Sequence, residues 1–344
     1  MIHFECDYTE GACPEILESI TANNFVQYTG YGEDQICNQA RQKIKNACNA
    51  PNSEVYFLVG GTQANLTVIS AALRPHQGII APATGHINVH EAGAIESSGH
   101  KVLALPSNDG KITAQQIEET WQEHWNDSTH AHMVQPAMVY ISFSTEGGLL
   151  YTKAELEAIS AVCRKCNLLL FVDGARLGYG LASPANNCNL SDFARLCDVF
   201  YIGGTKVGAL FGEAVVITNK MLQKDFGYII KQKGGLLAKG WLLGIQFDTL
   251  FTDDLYLKIA KNAVEKALRI KKAFEQKGIP FLFESHTNQQ FPILTAQQQT
   301  KLNKKYATSL WQQLDNGKAA VRFCTSWATT EENLNQLLED INQL

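Results

Sequence analysis

Seven short apolar runs, each followed by a stretch with helical period, constrain this 344-residue chain more than any other feature. The runs are Val55–Val59, Gly78–Ala81, Lys101–Leu105, Ala137–Ser142, Leu168–Asp173, Val199–Gly203 and Glu213–Thr218. Several are almost continuously apolar, as strands covered on both faces must be. Helical patterns lie between them, among them Thr62–Leu73, Thr113–Trp125 and Lys153–Cys166. Strands alternating with helices predict an α/β fold whose seven-stranded sheet is mostly parallel.

The last third changes character. Tyr256–Lys277 reads as one long helix, followed by strands near Pro280–Phe283, Gln290–Leu294 and Ala320–Thr325. A closing helix runs to Leu344, and Thr329-Thr-Glu-Glu opens it in the spacing of a capping box. This division predicts a large α/β domain over 15–244. Residues 1–14 and 245–344 would form a smaller α+β domain.

Composition narrows the function classes. A net charge of −5 offers no broad positive field for nucleic acid, and no Lys/Arg block suggests a membrane surface. No apolar run approaches the roughly 20 residues that span a bilayer. The opening Met-Ile-His-Phe-Glu-Cys-Asp lacks the basic and apolar regions of a signal peptide, so a cytoplasmic protein is expected. Nine cysteines, an odd number without a framework, read as reduced thiols. Cys163 and Cys166 have C-x-x-C spacing but sit in a helical segment with no second pair, which favours a structural role over metal or redox chemistry. No metal site is expected.

Three stretches carry chemistry. In Val59-Gly60-Gly61-Thr62-Gln63-Ala64-Asn65, glycines end a strand and open a helix, where free N–H groups favour a phosphate. The stretch is neither a Walker A loop nor G-x-G-x-x-G, so a nucleoside triphosphate or dinucleotide is not supported. In Phe171-Val172-Asp173-Gly174-Ala175-Arg176, an Asp ends a buried strand, where ligands bind in open α/β sheets. In Ile202-Gly203-Gly204-Thr205-Lys206-Val207-Gly208, a lysine follows a strand with glycines on both sides, an open setting for an amine that must be approached closely. Each has a plain structural reading: a turn, a capping Asp or a loop lysine. Their order, a phosphate cradle, then a strand-end carboxylate, then a reactive amine, is what a site for pyridoxal 5′-phosphate requires.

With these motifs the chain resembles the low-specificity L-threonine aldolases, a branch of the β-eliminating lyases with the aspartate aminotransferase-like fold. The resemblance runs from Phe4-Glu5-Cys6-Asp7-Tyr8-Thr9 and Gly30-Tyr31-Gly32-Glu33-Asp34 through Gly61–Asn65, His86-Ile87-Asn88-Val89-His90-Glu91, Asp173–Arg176 and Thr205-Lys206. It ends at Val321-Arg322-Phe323-Cys324-Thr325-Ser326-Trp327. It implies a PLP enzyme that cleaves L-threonine or L-allo-threonine to glycine and an aldehyde. Lys206 would carry the cofactor as a Schiff base, Asp173 would pair with the pyridine nitrogen, and His86 would stack on the ring and move protons. Gly61, Thr62 and Thr205 would contact the phosphate. Arg176 and Arg322 would hold the substrate carboxylate. Tyr31 would reach a neighbouring subunit's site in a homodimer or homotetramer, and Lys239 would either reach a phosphate across that interface or, as its plainer reading, stand on the solvated surface.

Three positions depart from the family. Cys6 stands where many members have Ser, which weakens any hydrogen bond to substrate. His90 replaces a frequent Tyr. Glu146 falls nearest a position where many members carry a His. The base for the cleavage step therefore stays open among His86, His90, Glu146 and an ordered water. Two further readings also stay open. The same site parts serve β-elimination, racemisation or transamination of another amino acid, and a non-catalytic metabolite-binding protein could use the same sheet.

Overall fold

The computed structural model covers residues 1–344, apart from the side chain of Asn316. Its strands, in chain order, are β1 (Ile2–His3), β2 (Glu54–Leu58), β3 (Gln77–Pro82), β4 (Val102–Leu105), β5 (Gln135–Ser142), β6 (Leu169–Asp173), β7 (Val199–Gly203) and β8 (Glu213–Ile217). The last third adds β9 (Gln289–Gln290), β10 (Ile293–Thr295), β11 (Tyr306–Ala307), β12 (Ser309–Gln313) and β13 (Lys318–Cys324). Strands β2–β8 form one sheet in the order β2-β8-β7-β6-β5-β3-β4. Its five-strand run from β7 to β4 is parallel, and β8 runs antiparallel to both β7 and β2. All seven expected strands are present, with ends moved by a residue or two.

The near-continuous apolar runs are explained by two cores. Side chains alternate across a strand. Ile141, Val172, Phe200 and Val216 pack into one cluster, while Tyr140, Phe171, Tyr201 and Val215 pack into another on the opposite face. Four helices cited below are α1 (Pro14–Asn23), α2 (Gln35–Ala47), α3 (Gly61–Ala72) and α4 (His86–Val89). The long helix α5 (Leu255–Gln276) packs on the closing helix α6 (Glu331–Asn342) beside the small sheet and encloses a third core with Phe274, Phe323 and Leu337. Among the described residues, no helix is long and apolar enough to cross a membrane.

The small sheet corrects the sequence reading. Pro280–Phe283 is not a strand; only Phe281 bridges Pro292. The run Gln290–Leu294 splits into β9 and β10, both paired with β13. Pro292 lacks an N–H for a continuous ladder, which accounts for the break. The cap of α6 is Thr330, which accepts from the Asn333 N–H. Thr329 instead accepts from the Ser326 N–H, so the expected Thr329–Glu332 capping box does not form.

Two glycines bring the functional ends of β6 and β7 together. The Gly203 N–H donates to the Gly174 carbonyl at 2.9 Å. A Cβ on Gly174 would stand 1.7 Å from the Tyr201 carbonyl oxygen, and one on Gly203 would stand 2.4 Å from the Ala175 oxygen. Both obstacles are backbone and cannot swing aside. Gly174→Ala is therefore expected to cost at least about 4 kcal/mol, the range of severe core lesions. Urea denaturation of that variant checks this, and a midpoint within error of the unsubstituted protein would contradict it.

Candidate active site

Sheet polarity places the motifs at one edge. The carboxyl ends of β2, β3, β5, β6 and β7 and the start of antiparallel β8 share that edge, as the pairs Leu58–Glu213 and Gly203–Glu213 require. Ligands bind outside this edge in open α/β sheets. A cavity of about 300 Å³ opens there, lined by Gly60, Gly61, Thr62, His86, Glu146, Asp173, Arg176, Thr205, Lys206 and Glu213, among others. It adjoins an outer cavity of about 660 Å³ that shares His86, Glu146, Arg176 and Lys206 and adds His90, Trp311 and Arg322.

Helix α3 opens the inner cavity with no side-chain cap. Gly60 is its N-cap, and nothing in the chain lies within 4 Å of where a Gly60 Cβ would be. The first N–H groups, at Gly61, Thr62 and Gln63, therefore have no intrahelical acceptor and face open space, which suits a phosphate. Thr205, expected to add a hydroxyl there, is engaged elsewhere. Its Oγ donates to Glu213 Oε1 at 2.9 Å and accepts from the Gly212 N–H at 3.0 Å.

Asp173 is buried, and its carboxylate is met by four donors. Tyr140 and Tyr201 donate at 2.5 Å each, the Ala175 N–H at 2.9 Å and Asn65 Nδ2 at 3.2 Å. Burial, then the charge of Asp173, pushes both tyrosines far above their ordinary value, so they remain O–H donors. A carboxylate has about four acceptor positions. A further donor must displace one, and the 3.2 Å contact is the weakest.

Lys206 makes no hydrogen bond or ion pair with the described residues. Burial, then Arg176, holds its amine below the ordinary value, while Asp7, Glu213 and Asp173 act the other way. An unpartnered, lowered amine in a cavity can attack a carbonyl carbon. Arg176 presents its Nε–Nη2 edge to Asp7 at 2.8 and 2.9 Å. Burial opposes charge on Asp7, but Arg176 and then Lys206 outweigh it and keep the carboxyl low. Only the Nη1 side of Arg176 remains for a ligand. Arg322 donates from Nε and Nη2 to the Glu5 carbonyl at 3.1 and 2.6 Å.

The structure brings most of the expected residues together and leaves two apart. Cys6 lines neither cavity, although Arg322 lies close enough to act on its thiol. Tyr31 lies on another surface with Lys231, whose amine sits 4.8 Å from its ring centre. His90 lines only the outer cavity, and burial, then His86 and Arg322, lowers its imidazole. Glu146 accepts at Oε1 from Ser142 Oγ at 2.9 Å and the His86 N–H at 3.2 Å, and its Oε2 is enclosed without a partner. The sequence reading missed Asp7, Asn65, Tyr140, Tyr201 and Glu213. A signal existed for Glu213, a lone carboxylate heading an otherwise apolar strand.

Fold and site together define an α/β enzyme of the aspartate aminotransferase-like class with a fitting place for pyridoxal phosphate: an uncapped helix start, a strand-end carboxylate and an unpartnered amine. A variant of aspartate aminotransferase from Thermus thermophilus superposes with a TM-score of 0.71 over 100% of this chain and 91% of that one; at 13% identity it shows the fold alone. The pattern of the beta-eliminating lyase family matches residues 4–320, and the chain belongs to that family. It is 31% identical to the low specificity L-threonine aldolase of Pseudomonas aeruginosa, over 98% of this chain and 96% of the relative. The structure of a threonine aldolase from Leishmania major superposes with a TM-score of 0.97 at 44% identity, over 100% of this chain and 99% of that one.

Glu213 makes stability depend on pH. Burial raises its carboxyl to about 7 from an ordinary 4.5, and Lys206 offsets part of this. Between these values the folded chain holds a proton that the unfolded chain has lost. The contribution is complete below about 4.5 and is lost as pH rises through about 7. Glu213→Gln can still accept from the Gly204 N–H and donate to Thr205. The cofactor-free variant should be more stable than the parent by roughly 3 kcal/mol at pH 8, with no gain at pH 4. Chemical denaturation at both pH values reads this; an equal gain at both would contradict the assignment.

Proposed function

We propose that the protein cleaves L-threonine or L-allo-threonine into glycine and acetaldehyde at the paired cavities, with Lys206 as the covalent anchor of pyridoxal 5′-phosphate. The observation that carries this is the Lys206 amine, unpartnered among the described residues, in one cavity with the uncapped start of α3 and the buried Asp173. When bound, the cofactor supplies an aldehyde that condenses with amines and a ring that accepts the electron pair released at Cα.

The chain's own residues do the rest. Gly61, Thr62 and Gln63 offer backbone N–H groups to the phosphate. Asp173, met by four donors, would face the ring nitrogen and hold a proton on it, with the Asn65 contact the one to yield. Arg322 and the free side of Arg176 hold the substrate carboxylate and so orient the Cα–Cβ bond. His86 takes the proton from the β-hydroxyl as the Cα–Cβ bond breaks and the aldehyde carbonyl forms, and Cα is then protonated to give glycine. His86 fits this step better than the other candidates. It lines both cavities and its Nε2 has no partner among the described residues. Glu146 has one oxygen doubly occupied and the other enclosed, and His90 stands in the outer cavity alone.

The working unit is a homodimer or homotetramer. Arg176 and Lys206 are the only cations among the lining residues of the inner cavity, too few for a phosphate dianion beside Glu213. Phe25 and Tyr228 are 94% and 78% exposed, and exposed aromatics of this size mark contact surfaces. In our reading Tyr31, and beside it Lys239 on the exposed loop that packs against Gly30–Gly32, would reach a partner's site. Cys6 sits at the substrate end as a neighbour of Arg322 without a direct bond. We divide the chain into 15–244 and 1–14 with 245–344, following the two sheets, and place it in a reducing, cytoplasmic compartment on its nine free cysteines.

Acetaldehyde and glycine release from both substrates tests the reading, with Lys206→Ala as control. Release from the parent and none from the variant is expected. A yellow protein that releases neither would keep the site and move the activity to β-elimination, racemisation or transamination. Asp173→Asn should lower kcat by at least about 100-fold with the fold retained. Arg322→Lys, which loses the planar fork, should raise KM about tenfold; an unchanged kcat/KM would mean that the carboxylate is held elsewhere.

A further inference from the structure

Glu91 lies outside both cavities, yet it is the residue most directly coupled to His86. Its side chain has no exposed surface. Oε1 meets His86 Nδ1 at 2.7 Å and accepts from Asn65 Nδ2, also at 2.7 Å. The same Asn65 nitrogen reaches Asp173 Oδ2 at 3.2 Å. The second oxygen of Glu91 and the amide oxygen of Asn65 are enclosed without partners. A core built for stability alone leaves few such atoms, because each costs about 1–3 kcal/mol.

An ionised carboxylate only accepts hydrogen bonds. Glu91 already accepts from Asn65 at the oxygen that meets His86, so the hydrogen of that second bond must be on Nδ1. The neutral ring then has its lone pair on Nε2, the form a base needs. A carboxylate behind a histidine sets the tautomer and stabilises the ring when it takes a proton. Among the described residues no carboxylate other than Glu91 lies within hydrogen-bond reach of the imidazole; Glu146 accepts from the backbone N–H of His86, and the His90 ring centre is 5.7 Å away.

We propose that Glu91 is the positioning residue of the proton acceptor: it holds His86 as the Nδ1–H tautomer, with Asn65 donating to the same carboxylate oxygen. This rests on the reading of His86 as the acceptor of the hydroxyl proton.

Two variants separate the tautomer from the charge. In Glu91→Gln, the amide oxygen can replace Oε1 and accept both bonds, leaving its NH2 where Oε2 has no partner. The tautomer is kept and the charge lost. Glu91→Leu removes the acceptor as well. The experiment uses full-length, cofactor-loaded protein with 15N-labelled histidine, and the His86 signals are identified by their loss in His86→Asn. Wild type and Glu91→Gln should show Nδ1–H, whereas Glu91→Leu should show Nε2–H or a mixture. Threonine turnover should fall about tenfold in Glu91→Gln and about 100-fold or more in Glu91→Leu, with cofactor content and KM within about threefold. An Nε2–H tautomer in wild type overturns the proposal. So does an unchanged tautomer or unchanged kcat in Glu91→Leu. Should Glu91→Leu not fold, the wild-type tautomer and the Glu91→Gln turnover decide. If wild type releases no acetaldehyde, the threonine reading fails, while the tautomer measurement still judges Glu91.

Discussion

A carboxylate withdrawn from water must be met by donors or it will take up a proton. Asp173 is such a group, and much of the site follows from satisfying it. Its donors come from β5, from β7, from the turn after β6 and from α3, so four segments must be in register before the charge is tolerated. Two of them, Tyr140 and Tyr201, belong to the core on one face of the sheet. The hydrophobic packing of that face and the electrostatics of the site are therefore the same arrangement seen from two sides.

The charges around this point are graded. Asp7 and Arg176 neutralise each other across a bidentate contact. Lys206, close to both, is left with the balance of Arg176 against three carboxylates and without a hydrogen bond of its own. Glu213 keeps its proton as pH falls below about 7, because burial outweighs the nearby amine. A lysine can be reactive here because the cations and anions around it are already paired or neutral, and the cavity is left with few strong fields except those at its functional ends.

Much of this was legible in the sequence where local rules decide. The seven strands of the main sheet follow from continuous apolar runs, and their ends locate Asp173 and Lys206 because a β-strand fixes direction as well as position. The small sheet was less legible. β9 is made of two buried glutamines, and β12 carries exposed Leu310 beside polar residues, so neither shows the period or composition of a strand. The network around Asp173 was hidden for another reason. Asn65, Tyr140 and Tyr201 read as ordinary residues of a helix and two strands, and only the fold reveals that they converge. Arg176 shows the limit of carrying roles by position, because one edge of its guanidinium is already committed to Asp7.

The contacts of the N-terminal segment carry a consequence for how the molecule is made. Phe4 accepts the N–H of Cys324, the Glu5 carbonyl receives Arg322, and Asp7 is held by Arg176 and Asn288. Residues 4–7 thus find partners as far along the chain as Arg322 and Cys324. Loop closure over some 317 positions is slow and costly in entropy. Without the N-terminal segment Arg176 would stand beside the cavity lacking its counter-charge. Completion of the substrate end therefore depends on the strand that carries Arg322 and Cys324 being in place.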